Sequence, residues 1–252
     1  MMHTREIQAI FFDMGGVLMD VSPGYSREEA FRRSLGGPAM RAYLGDDFDL
    51  QRFLAFFETV LSGRAQRDPG IQEDAWREDK VMMERYTGRL VPYDALREKF
   101  WTHIAYMTRC FEPISGVRDV LKDLTERGYI IGLISNVFHP AIVYKELFTQ
   151  WEIIDFFEPL LFSSEFRYKK PNPAIFRYAL SWYPQILPEQ VMYVGDTWEI
   201  DVEGARGVGM VPVWVNREGA MVSRDGVPVV RHIRELVDVL SARDRFTELT
   251  LR

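Results

Sequence analysis

One cysteine, Cys110, stands in 252 residues. A lone thiol closes no intramolecular disulfide and builds no cysteine-rich zinc site, so the expected setting is a reducing cytoplasm. Basic blocks are missing too. Lys and Arg number 31 against 37 Asp and Glu, a formal balance of −6, and this argues against nucleic acid as a partner. No run nears the roughly 18 apolar residues of a membrane span. Nothing like a secretory leader precedes the first apolar run, which follows directly on Met1-Met2-His3-Thr4-Arg5-Glu6. Internal repeats and low-complexity stretches are absent. What is present is ample apolar content, 47% with 13% aromatic, enough for a sizeable core in one large domain or in a core domain with an insertion.

The stretch Ile10-Phe11-Phe12-Asp13-Met14-Gly15-Gly16-Val17-Leu18 is the most informative. A run of apolar and aromatic residues stops at an aspartate, and a glycine-rich turn follows. Strands buried on both faces read as near-continuous apolar runs, and in open parallel sheets ligands gather beyond the carboxyl ends. An aspartate placed there can attack an electrophile or hold a metal. Comparable runs cover Ile7–Phe12, Tyr129–Ile134, Pro159–Phe162, Val191–Val194 and Val211–Val215. Between the later ones lie helical patterns. Val117 to Arg127 sets Val117, Val120, Leu121 and Leu124 on one face with Gly128 as the stop, and Pro173 to Trp182 does the same with Ile175, Phe176, Ala179 and Leu180. Ile233 to Leu240 predicts a last covering helix. Alternation of this kind predicts an α/β fold, a parallel sheet with helices on both faces.

Residues 21–112 break the alternation. Arg27–Leu35, Phe48–Leu61, Ala75–Tyr86 and Tyr93–Thr108 carry apolar residues three and four apart, separated by Gly36-Gly37-Pro38, Asp68-Pro69-Gly70 and Val91-Pro92. The expected organisation is therefore a core of residues 1–20 and 113–252 with a helical domain of 21–112 inserted after the first strand. Two arrangements fit this pattern equally: a lid over the ligand-binding edge, or a bundle packed elsewhere.

The predicted strand ends collect a chemical set. Asp13 follows the first, Ser135-Asn136 the second, Lys169-Lys170-Pro171 a loop beyond the third, and Gly195-Asp196-Thr197 the fourth, with Asp201 five residues on. Taken singly, each has a plain structural explanation: a turn, a solvated lysine, a helix cap. Together at one sheet edge they suit phosphoryl transfer. Asp13 attacks phosphorus, Mg²⁺ held by Asp13 and Asp196 keeps carboxylate and phosphate from repelling each other, and Ser135 and Lys170 hold the equatorial oxygens.

These four segments resemble the haloacid dehalogenase superfamily, in particular its phosphatase-like members with a helical cap. Phe12-Asp13-Met14-Gly15-Gly16-Val17-Leu18 is similar to the family's first motif and Ile134-Ser135-Asn136 to its second. Lys170-Pro171-Asn172-Pro173 resembles the third, and Val194-Gly195-Asp196-Thr197 through Asp201 the fourth. The resemblance implies a Rossmann-like three-layer α/β/α core, an aspartate nucleophile, Mg²⁺, and hydrolysis of a small phosphorylated metabolite through an aspartyl-phosphate. By it, Asp13, Ser135 and Lys170 are catalytic, and Met14, Gly15, Ser135, Asn136 and Lys170 surround the phosphate. Asp13, the Gly15 carbonyl and Asp196 hold the metal, with Asp201 supporting them.

One position departs from that pattern. The family's phosphatases usually carry a second aspartate two residues after the nucleophile, as proton donor and base; here Gly15 keeps only the carbonyl. General acid–base help is worth roughly 10²–10⁴ in rate, so the expected substrates have acidic leaving groups. Asp20, Glu199 or a residue of the inserted domain are the candidate replacements. Two other readings remain: a metal-independent 2-haloacid dehalogenase, disfavoured by Gly195-Asp196 and by Phe176, and a non-catalytic regulatory protein, disfavoured by the joint presence of Asp13, Ser135, Lys170 and Asp196. Arg41, Arg64 and His139 are weaker candidates for substrate contact. A homodimer through the helical insertion is a further expectation.

Overall fold

The computed structural model describes residues 6–64, 70–219 and 223–242. Its centre is a six-stranded parallel sheet in the order β5-β4-β1-β6-β7-β8. In chain order these strands are β1 (Ala9–Phe12), β4 (Ile130–Ser135), β5 (Phe157–Phe162), β6 (Val191–Gly195), β7 (Val211–Val215) and β8 (Val229–Val230). All four residues of β1 are buried, as a strand covered on both faces requires. Alternation along it divides the core. Ile10 and Phe12 join one apolar cluster with Leu121, Leu124 and Phe148, while Ala9 and Phe11 join another with Ile175, Phe176 and Ala179, as side chains at successive strand positions must. Helices α6 (Val117–Glu126) and α7 (Ala141–Gln150) clothe the first face, with a stretch at 236–242 beside them. Helices α8 (Pro173–Leu180) and α9 (Glu203–Arg206) clothe the second. The result is the three-layer α/β/α, Rossmann-like fold expected.

The chain leaves and re-enters this core through a two-stranded antiparallel ribbon, β2 (Met19–Val21) against β3 (Phe111–Pro113). Between them lie α1 (Arg27–Leu35), α2 (Pro38–Leu44), α3 (Leu50–Arg64), α4 (Ala75–Thr87) and α5 (Tyr93–Thr108). Local signals explain their ends. Ser26 caps α1 by accepting from Glu29 N at 3.2 Å, Asp74 caps α4 by accepting from Arg77 N at 2.6 Å, and Gly88 ends α4 at φ +70°. Gly36-Gly37-Pro38 separates helices as expected, but the next one is the unexpected short α2: Gly36 ends α1, and Pro38 takes the first turn of α2, where its missing N–H costs nothing. Phe31, Met40, Phe53, Met83 and Leu96 form the apolar centre of this bundle.

A short strap ties the bundle to the core. Ile71 bridges Tyr168, Gln72 N donates to Arg167 O at 3.0 Å, and Lys169 N donates to Gly70 O at 2.9 Å. Gln72 Nε2 also reaches the Val137 carbonyl at 3.1 Å. The expected separator at Asp68-Pro69-Gly70 lies partly outside the described residues, since 65–69 are not described, and so does the side chain of Arg64, while the helix expected over Phe48–Leu61 is α3. No described helix is long and apolar enough to cross a membrane.

Candidate active site

The register explains the gathering of the site. Phe12 lies beside Leu133 and Val194, so Asp13, one residue on, emerges between the ends of β4 and β6. Its N–H donates to Val194 O at 2.8 Å. The chain then turns tightly, with Leu18 N and Met19 N both donating to Met14 O at 2.8 and 3.0 Å. Gly16 makes this turn at φ +68°, and a side chain there would meet the Asp196 carboxylate.

Lys170 is the hub. Its side chain is 1% exposed, and its three ammonium protons have three acceptors: Asp13 Oδ1 at 2.8 Å, Asp201 Oδ1 at 2.6 Å and the Tyr193 hydroxyl at 2.8 Å. Tyr193 passes its own proton to the Ile134 carbonyl at 2.9 Å. Asn136 fixes the lysine's main chain from both sides, Nδ2 donating to Lys170 O and Oδ1 accepting from Lys170 N, each at 2.8 Å. The Asn136 side chain, expected beside the phosphate, is thus spent on the lysine. Ser135 is buried at the end of β4.

A single π turn, Trp198–Val202, carries Asp201 inward, a local irregularity common at functional sites. Gly195 leaves the space, since a Cβ there would lie 2.3 Å from that of Asp201. Asp201 Oδ2 accepts from Thr197 N at 3.0 Å, and Thr197 Oγ1 donates to Asp196 Oδ1 at 3.1 Å.

Ligand atoms of Asp13, Asp196 and Asp201 all lie within 4.8 Å of one another. Three carboxylates against one ammonium leave an excess of two negative charges when all are ionised. This crowding favours protonation of the carboxyls. Burial, with Asp201 nearby, pushes Asp13 up to about 6 although Lys170 opposes it. Burial and Asp201 also raise Asp196. Burial alone would lower Lys170, but Asp13 and Asp201 outweigh it and raise it. Burial and Asp201 hold Tyr193 well above its usual value, so it stays a phenol. An oxygen-only donor set with surplus negative charge fits a hard divalent cation such as Mg²⁺.

Gly15 is exposed, and a Cβ built on it meets nothing within 4 Å. Asp20 and Glu199, considered as its substitutes, make no hydrogen bond to this network among the described residues. Asp20 is engaged by Arg217, and Glu199 is exposed on the π turn. Arg41 is exposed on the helical bundle beside Arg32 and Asp46. Tyr193 escaped the sequence reading, and Thr197 was read only as part of the Gly195-Asp196-Thr197 segment, without a role. Tyr193 is the one hydrogen-bonding side chain in an otherwise apolar strand, and that was its only signal.

Residues 7–209 match the haloacid dehalogenase-like hydrolase family, and the chain belongs to it as a phosphatase-like member. It is 37% identical over 225 residues to a glyceraldehyde 3-phosphate phosphatase of Pyrococcus furiosus, covering 83% of this chain and 81% of that one. A phosphoglycolate phosphatase of Vibrio vulnificus is 26% identical over 82% of this chain and 83% of its own. Among solved structures, a 2-haloacid dehalogenase from Pseudomonas syringae superposes with a TM-score of 0.69 at 18% identity, over 94% of this chain and 99% of that one. At that identity the likeness is one of fold alone.

Proposed function

We propose that the protein is a Mg²⁺-dependent phosphatase of a small phosphorylated metabolite, working through an aspartyl-phosphate on Asp13. The observation that carries this is the Lys170 hub, which binds Asp13 and Asp201 with one ammonium beside Asp196. Curated relatives that act as phosphatases of small esters support it.

Asp13 attacks phosphorus through a carboxylate oxygen, forming an O–P bond as the ester P–O bond breaks. Lys170 holds the nucleophile in one rotamer, and its charge opposes the effect of burial on Asp13. Ser135 donates to a phosphoryl oxygen as charge moves onto it. The leaving oxygen takes its proton from solvent, because Gly15 supplies none. Water then attacks phosphorus, releasing inorganic phosphate and restoring the Asp13 carboxylate. When bound by Asp13, Asp196 and the Gly15 carbonyl, with Asp201 supporting, Mg²⁺ supplies charge neutralisation between carboxylate and phosphate. The helices of residues 21–112 act as the cap that encloses the leaving group.

Phosphate release from acetyl phosphate and p-nitrophenyl phosphate tests this reading, with Mg²⁺ or with EDTA. Release should depend on metal and fall at least about 10³-fold in Asp13→Asn. Because Gly15 also suits a dehalogenase, the same preparations are assayed without metal on 2-chloropropionate. Halide release there, with no phosphate release, would replace this function.

A further inference from the structure

The last paired position of β6 is Gly195, set beside Trp214 of β7. One residue on, where the ladder has ended, the Asp196 carbonyl accepts from Trp214 Nε1 at 2.8 Å. The N–H of the same peptide, on Thr197, donates to Asp201 Oδ2 at 3.0 Å. The Asp196–Thr197 peptide is therefore held at both ends, by an indole on one side and on the other by the carboxylate that also binds Lys170. Its orientation sets the direction in which the Asp196 side chain leaves the backbone. The Asp196 carboxylate accepts from the Thr197 hydroxyl at 3.1 Å, and Gly16 leaves room for its other oxygen.

Alternation along β7 brings the indole there. Val213 and Val215 are buried on the face of the sheet that α6 and α7 cover, so Trp214 points to the opposite face. It packs on that side with Trp198, Val202 and Val227. The two indoles meet edge to face, with ring centres 5.1 Å apart and planes at 76°. Arg224 covers Trp198 with its guanidinium carbon 4.0 Å from the ring centre. The Trp214 main chain is tied as well, its N–H donating to Pro228 O at 2.9 Å. A ring braced in this way holds its N–H on the Asp196 carbonyl with little freedom to swing. Phenylalanine or tyrosine would serve the packing, but neither carries a ring N–H.

We propose that Trp214 is a positioning residue of the metal site: its indole N–H fixes the Asp196–Thr197 peptide so that the Asp196 carboxylate stands beside Asp13, and it acts on the affinity for Mg²⁺ rather than on the chemical step. The inference rests on the metal-dependent reading above. Like charges on Asp13 and Asp201, with ligand atoms within 4.8 Å, push the Asp196 carboxylate outward, and the indole bond opposes that movement. A ligand that is free to swing must be reordered when the metal binds, and that cost appears in the binding constant. The described hydrogen bond from the indole reaches the site only through the Asp196 main chain, so its loss leaves Asp13, Ser135 and Lys170 in place.

The test is calorimetric titration of the metal-free full chain with Mg²⁺, comparing the wild type with two variants. Trp214→Phe keeps an aromatic ring and loses the N–H. The second carries benzothienylalanine in place of Trp214, an isostere with sulfur where the N–H stands, so the packing on Trp198 is kept. Both should bind Mg²⁺ roughly fivefold more weakly than the wild type, as expected for one neutral hydrogen bond behind a metal ligand. Phosphate release from acetyl phosphate should need roughly fivefold more Mg²⁺ for half-activation, while kcat at saturating metal stays within about twofold. A role in folding alone would lower the urea midpoint and leave the Mg²⁺ constant of the folded protein unmoved. That result, a loss of affinity confined to Trp214→Phe, or a kcat that stays low at saturating metal would each overturn the inference and leave the metal-dependent phosphatase standing. A wild-type protein that takes up no Mg²⁺ would overturn both.

Discussion

Lys170 and Lys99 are each 1% exposed, and they solve the same problem in different ways. Lys170 sits at the edge of the sheet with a full set of acceptors, two carboxylates and a phenol. Lys99 sits within α5 of the helical bundle, with one carboxylate and an aromatic face. Around Lys170 the acidic groups outnumber the cation, so the region is short of positive charge and suits a metal and a phosphate. Around Lys99 a single carboxylate, Asp79, answers the ammonium, and the other neighbours are mostly rings and thioethers. A buried cation therefore says little on its own; the surplus or balance of its counter-charges decides what the surrounding space can take up.

The largest effect is expected from Lys170→Met. It removes the group that holds Asp13 and leaves Asp13 and Asp201 without their cation. Phosphatase turnover should fall at least about 10³-fold, and without metal the unfolding free energy by about 3–5 kcal/mol; steady-state kinetics and urea titration read both. Gly15→Asp works in the other direction. Space is open at that position, so the fold should survive. Turnover of alkyl phosphates should rise by roughly 10²-fold, with a smaller gain for aryl or acyl phosphates whose leaving groups need no proton. Equal gains on both would mean that Gly15 limits something other than protonation.

Lys99→Met sharpens the contrast between the two lysines. It leaves Asp79, whose side chain is 16% exposed, to recover hydration, so the cost should be only about 1–2 kcal/mol, well below that of Lys170→Met. Similar losses in urea titration would break the comparison. A separate effect concerns acid. Burial holds His103 at about 3 and His139 at about 4, below the ordinary value near 6.5 that they regain on unfolding. Below 6.5 the unfolded chain binds more protons than the folded one, so this contribution is complete above 6.5 and is lost as pH falls toward 4. Between pH 7 and pH 5 the wild type should lose up to about 4 kcal/mol more than His103→Gln/His139→Gln, roughly 2 for each imidazole. Parallel slopes for the two proteins would show that neither imidazole is held neutral by the cap.

Much of the core was legible because one-dimensional signals carry it. The apolar run into Asp13, the lysine before Pro171 and the Gly195-Asp196 pair all stand at strand or helix boundaries, where sequence and structure change together. Helices α1 and α5 occur over the ranges their periodicity predicts. Short or atypical elements escaped. Strands β2, β3 and β8 have three residues or two, too few for an alternation to show. Helix α7 buries Ala141, Val143, Tyr144, Leu147 and Phe148 in a segment with too little polar contrast to mark a face. The Lys99–Asp79 pair was out of reach for another reason. Lys99 and Asp79 lie on separate helices twenty positions apart, and nothing local marks either as more than a solvated charge. Tyr193 was hidden by its strand, since a tyrosine among buried apolar residues reads as packing until its hydroxyl is seen between Lys170 and Ile134.

The strap at residues 70–72 joins the helical bundle to the core main chain to main chain. Its backbone bonds end on Arg167 and Lys169, one peptide away from the lysine that holds Asp13. Any displacement of the bundle at that point would have to break those bonds and pull on the chain that sets the ammonium in place, so the position of the bundle and that of the Lys170 ammonium are mechanically linked.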